Sequence, residues 1–261
     1  RSRGLGDVYK RQAQGRTFYT PVQRENTLHI HFLLEDNPIL TPQMIERTKE
    51  MYSGVFYDRY IRGLWVVAEG LIYPMFGDSC IVDKPPQGGR YYISCDYGTL
   101  NPFSAGLWCW DGKTATRVAE YYYSGRQEQQ HKTDEDYYTA LEQLAGDKPV
   151  QAVIVDPSAA SFIEALRRAG FPVSKADNDV LDGIRVTANL LKQRKIVICE
   201  DCGSCLEEIA GYCWEDGGTG HDRPKKERDH AMDEMRYFAV SIAKKERGSG
   251  IALRTVERTA R

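Results

Sequence analysis

The segment Val150–Asp156, VQAVIVD, does most to narrow what this chain can fold into: an apolar, β-branched run that ends on a carboxylate. Such a run is expected of a strand covered on both faces, so it requires a sheet with helices packed over it. RYYISCDYG has the same ending, a strand that closes on Asp96. After it, PFSAGLWCW and TATRVAEYYYS alternate as aromatic strands around Asp111-Gly112, a hairpin turn signal. TDEDYYTALEQLAG (133–146) opens with a Thr/Asp capping box and reads as a helix. Beyond Asp156, PSAASFIEALRRAG is a helix closed by Gly170, DVLDGIRVTANLLKQRK another helix, and IVIC a short strand. CLEEIAGYCW and DHAMDEMRYFAVSIAKKE read as the last two helices. The order β-β-β-α-β-α-α-β-α-α predicts an α/β domain, a mixed sheet with helices packed on it, from about residue 73 to 247.

Upstream, TLHIHFLLEDNP (27–38) reads as a strand ending in a turn, and TPQMIERTKEMYSG (41–54) as a helix with Thr as N-cap and Pro at its first position. YIRGLWVVAEGLIYPMF reads as strand-like material separated by glycines. DVYKRQ, Asp7–Gln12, looks like a translated transposon end from sequencing-library preparation, so residues 1–12 are expected to be adapter-derived and to contribute nothing to folding. Residues 248–261 read as a loose tail. A hydrophobic share of 41% in 261 residues is enough for a real core. No apolar run reaches the roughly 18–20 residues of a membrane span. Seven cysteines without a secretory signal suggest free thiols in a reducing compartment. A net charge of −2 argues against a protein that coats nucleic acid everywhere, yet RPKKER (223–228) supplies a local basic run. Its Lys225 and Lys226 are the candidate DNA contacts; a solvated loop is the plain alternative.

RDHAMDEMRY (228–237) sets Asp229, His230 and Asp233 three and four residues apart, on neighbouring parts of one helical face that also carries Met232 and Met235. In open α/β sheets reactive groups sit beyond strand ends, where Asp96 and Asp156 stand. A late helix could bring Asp233 to that edge. Three carboxylates brought together stay ionised only if cations neutralise them, and oxygen ligands select Mg²⁺ or Mn²⁺. Two such ions about 4 Å apart would clamp a phosphodiester displacement. The bland alternative makes Asp96 and Asp156 turn starters and Asp229 a helix N-cap.

In order and spacing, SCDYGTLNPFSAGLW, VQAVIVDPSAASFIEALRRAG and RDHAMDEMRYFA resemble the C-terminal nuclease domain of tailed-phage large terminase subunits. YSGVFYDRYIRGLWVVAEGLIYPMF resembles the segment that joins the ATPase domain of that family to its nuclease. The resemblance covers about residues 20–245. It implies a ribonuclease H-like mixed sheet with helices on both faces, residues 13–72 as a remnant of the ATPase domain and linker, and residues 73–247 as the nuclease. It also implies Asp96, Asp156 and Asp233 as metal ligands for two Mg²⁺ or Mn²⁺ ions. His230 matches a histidine flanking the third aspartate, and Asp229 the start of that motif. The implied activity is an endonuclease that cuts concatemeric double-stranded DNA during packaging, in the cytoplasm of the infected host. The implied partners are DNA and, for the parent protein, the small terminase subunit and the portal protein, with no membrane involved. The family's ATPase needs a phosphate-binding Walker loop. GLWCWDGKT misses that pattern at Leu107, so a complete ATPase motor is not expected of these residues.

Two other readings of the acidic cluster stay open: another ribonuclease H-fold nuclease such as a junction resolvase, and a non-catalytic assembly or DNA-binding module. Cys199, Cys202 and Cys205 have zinc-type spacings but no partner pair at finger distance, and read as inert thiols. His29 and His31 share a strand face and read as structural; His221 reads as a solvated loop residue.

Overall fold

The computed structural model describes residues 8–13, 16–21, 33–64, 66, 68–98, 101–215 and 222–243. His29, His31, His221, residues 1–7 and the tail 248–261 lie outside the described residues. The chain divides into two compact units, residues 1–74 with 211–227 and residues 75–210 with 228–261. The return of 211–227 to the first unit has no counterpart in the sequence pattern.

In the first unit, β1 (Val8–Ala13) pairs antiparallel with β2 (Arg16–Pro21). Val8–Gln12, read as adapter-derived, are thus paired within a hairpin of their own, separate from the main sheet. The helix α1 (Pro42–Glu50) begins as expected, with the Thr41 hydroxyl accepting from the Met44 N–H at 3.3 Å. It stops at Glu50 rather than Gly54, which starts α2 (Gly54–Tyr60) with φ +57°. The strand-like reading of the next segment therefore fails at its start: Tyr60 ends a helix. Among the described residues after it, Leu71 forms an isolated bridge to Cys213, and further on Trp214 forms one to Pro224. Glycines 63 and 70, both at positive φ, break any longer ladder there.

The second unit holds a seven-stranded sheet. Its elements are β3 (Ile81–Val82), β4 (Arg90–Asp96), β5 (Phe103–Trp110), β6 (Ala115–Tyr123), α3 (Gly125–Glu128), α4 (Asp134–Ala145), β7 (Val150–Val155), α5 (Ala160–Arg168), β8 (Val173–Lys175), α6 (Val180–Lys192), β9 (Ile196–Cys199), α7 (Gly203–Gly211) and α8 (residues 230–243). The spatial order is β3-β9-β6-β5-β4-β7-β8. β5 runs antiparallel to its neighbours β4 and β6, while β7 joins β4, and β8 joins β7, in parallel. That is the ribonuclease H-like arrangement the resemblance implied. The Asp111–Gly112 turn is as expected: Asp111 Oδ1 accepts from the N–H groups of Lys113 and Thr114, both at 2.7 Å. Gly112-Lys113-Thr114 is therefore hairpin turn, not phosphate loop. β3, α3 and the three-residue β8 were not anticipated.

Alternation along β4 sorts the two faces. Ile93 and Cys95 join Phe103, Ala105 and Leu107 of β5 in a core closed by Tyr137 and Leu141 of α4 and Phe162 and Leu166 of α5. The other face meets α8: Phe238 stacks on Trp108 with centroids 4.3 Å apart and lies 6.1 Å from Tyr92. A bulge between β5 and β6 skips Val118, so Arg117 rather than Val118 stands opposite Trp108. That shift points an arginine at α8, where it pairs with Glu234; both side chains are fully buried. Ser94 also donates to Glu234, and Trp108 Nε1 donates to it at 2.8 Å. Gly106 leaves room for this pair, since a Cβ there would run into Arg117 and Glu234.

Candidate functional site

Parallel pairing of β4 with β7 sets Cys95 beside Val155, so Asp96 and Asp156, the next residues of each strand, emerge at the same sheet edge. α8 crosses above that edge. His230, at its start, has Nδ1 2.8 Å from Asp96 Oδ2. Arg236 donates to Asp233 Oδ1 at 2.9 Å, and the Tyr237 hydroxyl donates to Asp156 Oδ2 at 3.0 Å. Each of the three carboxylates expected to form a site is thus held by one α8 side chain. Asp156 has further donors, the Ser158 N–H at 2.7 Å and Asn178 Nδ2 at 3.5 Å.

The electrostatics tie these groups together. Burial pushes the Tyr237 phenol far up, and the charges of Asp96, Asp233 and Asp156 push it the same way, so one hydroxyl feels all three carboxylates. Burial raises the Asp96 carboxyl, helped by the charges of Asp233 and Asp229 and opposed by the bond to His230. Burial resists ionisation of Asp156, but the bonds from Ser158, Tyr237 and Asn178 outweigh it and hold that carboxyl below its ordinary value. His230 is raised: burial would lower it, but the bond and charge of Asp96, with Asp229 and Glu208, prevail. As arranged, no group of three or more His, Cys, Asp or Glu side chains among the described residues is drawn tightly enough to clasp a metal ion.

Asp229 is 5% exposed and directly precedes α8, as an N-cap would. The N-terminus of α8 is closed by an acid that the sequence pattern did not reveal. Glu208 of α7, 3% exposed, accepts from the Ala231 N–H at 2.7 Å and from the Tyr122 hydroxyl at 2.7 Å. Arg236, Tyr237 and Asn178 were missed as well. Only Arg236 had a local signal, its spacing of three from Asp233 on one helix. Lys225 and Lys226 fall in the first unit, whereas the carboxylates belong to the second. Cys199, Cys202 and Cys205 are buried, and burial pushes the Cys202 thiol up to about 12, as suits inert thiols.

No protein-family model matches the chain. It is similar to the large terminase subunit of Escherichia phage T5, with 26% identity over 237 residues, covering 84% of this chain and 52% of that protein. The large terminase of a thermophilic bacteriophage, solved in complex with ADP, is 46% identical, with a TM-score of 0.79 over 84% of this chain and 56% of that one. The large terminase nuclease of the thermophilic phage G20c, solved with bound magnesium, shares the fold at 14% identity. Its TM-score is 0.52, over 65% of this chain and 96% of that one. The resemblance carried by the three acidic segments is thus a kinship with phage large terminase subunits, and the chain spans about half the length of the relatives first matched.

Proposed function

From a chain akin to phage large terminase subunits, we propose that the second unit is a divalent-metal-dependent endonuclease that cuts concatemeric double-stranded DNA during phage genome packaging. The observation that supports this best is that Asp96 and Asp156 leave adjacent parallel strand ends and that α8, which carries Asp233, bonds both of them, His230 to Asp96 and Tyr237 to Asp156. The donor set fits the cation. All three are oxygen ligands, as Mg²⁺ and Mn²⁺ prefer, and the disfavoured ionisation of half-buried Asp96 would be relieved by a positive ion.

Asp96, Asp156 and Asp233 would hold two such ions, which supply Lewis-acid polarisation of the scissile phosphate and neutralise charge on the attacking and leaving oxygens. The protein's own groups do the rest. Tyr237 and Asn178 fix Asp156, Arg236 fixes Asp233, and His230 fixes Asp96. With Nδ1 committed to Asp96, the other His230 ring nitrogen can accept a proton from the attacking water. Lys225 and Lys226 would contact DNA phosphates. In the parent protein the partners would be the small terminase subunit and the portal protein, and the place of action the cytoplasm of the infected host. Among the described residues no helix is long and apolar enough to cross a membrane.

The test is nicking of supercoiled plasmid by the purified chain with Mn²⁺, beside a four-way junction and an RNA–DNA hybrid. Plasmid and plain-duplex cleavage that EDTA abolishes is the expected result. Cleavage of the junction alone would favour a resolvase, and no cleavage of any substrate a non-catalytic module.

A further inference from the structure

Arg236 is 2% exposed, a depth that arginine reaches only where its charge is answered. One terminal nitrogen donates to Asp233 at 2.9 Å, the other to the Asp179 carbonyl at the head of α6 at 3.1 Å. The guanidinium also lies over the Tyr237 ring, 5.0 Å from its centroid. Its stem fills a slot that α6 provides: Gly183 stands in the interior of that helix, where glycine is a poor residue, and a Cβ there would run into Cγ and Cδ of Arg236. A helix that gives up a side chain, a backbone carbonyl and a buried carboxylate all converge on this one guanidinium.

We propose that Arg236 is a built-in counter-ion of the acidic site: it answers the charge of Asp233 while no cation is present, fixes that side chain for the cation, and by its own charge weakens the cation's hold. The proposal rests on the metal-dependent reading above. A fixed positive charge beside the ligands opposes a second one, so the site fills only when divalent metal is plentiful, and cutting is tied to that supply. Arg236 is in this sense a positioning residue that also sets a threshold.

Mn²⁺ titration calorimetry on the full chain tests it, with thermal unfolding in the presence and absence of Mn²⁺. Arg236→Met should bind Mn²⁺ about tenfold more tightly than the unmodified chain, because a repelling charge is gone. Without metal it should melt lower, and Mn²⁺ should restore more of its stability than it adds to the unmodified chain. Arg236→Lys, which keeps the charge, should bind with near-original affinity. Equal or weaker binding by folded Arg236→Met overturns the counter-ion. If Arg236→Met does not fold, Gly183→Ala takes its place, since it pushes the stem out of its slot; it too should bind more tightly, and unchanged affinity overturns the proposal. Absence of Mn²⁺ binding by the unmodified chain would sink the metal reading and this one with it, whereas binding without tightening in the variants sinks this one alone.

Discussion

His230 Nδ1 lies 2.8 Å from Asp96 Oδ2, tying the first residue of α8 to the last residue of β4. The pair couples helix docking to protonation. His230 is raised above its ordinary value by Asp96, Asp229 and Glu208, against the opposing effect of burial. A raised histidine contributes stability that is fully present below its unfolded value of about 6.5 and is lost as pH rises through the folded one. Asp96, raised chiefly by burial, acts in the same direction at lower pH, because ionising it costs more in the folded chain. The metal-free melting temperature should therefore decline from about pH 6 to about pH 8, and His230→Gln should flatten that decline. Calorimetric melts across that range decide; equal slopes in both proteins would show that the pair is not coupled to folding.

Beneath the site, Glu234 is held by Arg117, Ser94 and Trp108, all from the sheet. Glu234→Leu leaves the buried Arg117 with Glu120, at 3.3 Å, as its one acidic partner among the described residues, and should cost about 3 kcal/mol in urea unfolding. Adding Arg117→Met should recover part of that loss, since the stranded charge is removed along with its partner. Gly106→Ala, which crowds the same pair, should be destabilising by about 1–3 kcal/mol. A loss below about 1 kcal/mol for Glu234→Leu would mean that the network does not anchor α8.

How much of the fold and site is legible in the sequence depends on how local each signal is. Asp96 and Asp156 could be placed because strand pattern and terminal carboxylate are adjacent in the chain, and Asp233 because its helix is strongly periodic. Glu234 is a charge on the side of α8 that also carries Phe238, yet nothing local says that a bulge at Val118 has turned Arg117 to meet it. Glu208 reads as an ordinary helix residue until folding sets it against the start of α8. β8 has three residues, too few for a period to register. The return of 211–227 to the first unit depends on contacts with residues 70–72, such as Ile72 N–H to the Tyr212 carbonyl at 2.8 Å, and spacing does not encode these.

Lys225 and Lys226 offer a quantitative test on DNA. Each phosphate contact contributes roughly 0.9 to the slope of log affinity against log salt. Replacing both with Gln should lower that slope by up to about 1.8, with little sequence dependence in the loss. Binding to a labelled duplex across a salt series measures it. An unchanged slope would remove both residues from the DNA contact.

The sharpest test separates the two acids of RDHAMDEMRY. Asp233→Asn keeps the shape but removes the charge that would hold the cation, so plasmid nicking should fall by orders of magnitude. The same change takes the charged partner from buried Arg236, so the metal-free chain should also melt lower. Asp96→Asn and Asp156→Asn should abolish nicking to a similar extent. Pairs of these three should be far from additive, because each alone dismantles one shared site. Asp229→Asn should be mild, since asparagine caps a helix about as well as aspartate. The comparison belongs under saturating Mn²⁺, where a merely weakened site would be refilled and a dismantled one would not. Should Asp229→Asn abolish nicking there while Asp233→Asn retains it, the metal-holding acid of α8 lies one helical turn earlier than assigned.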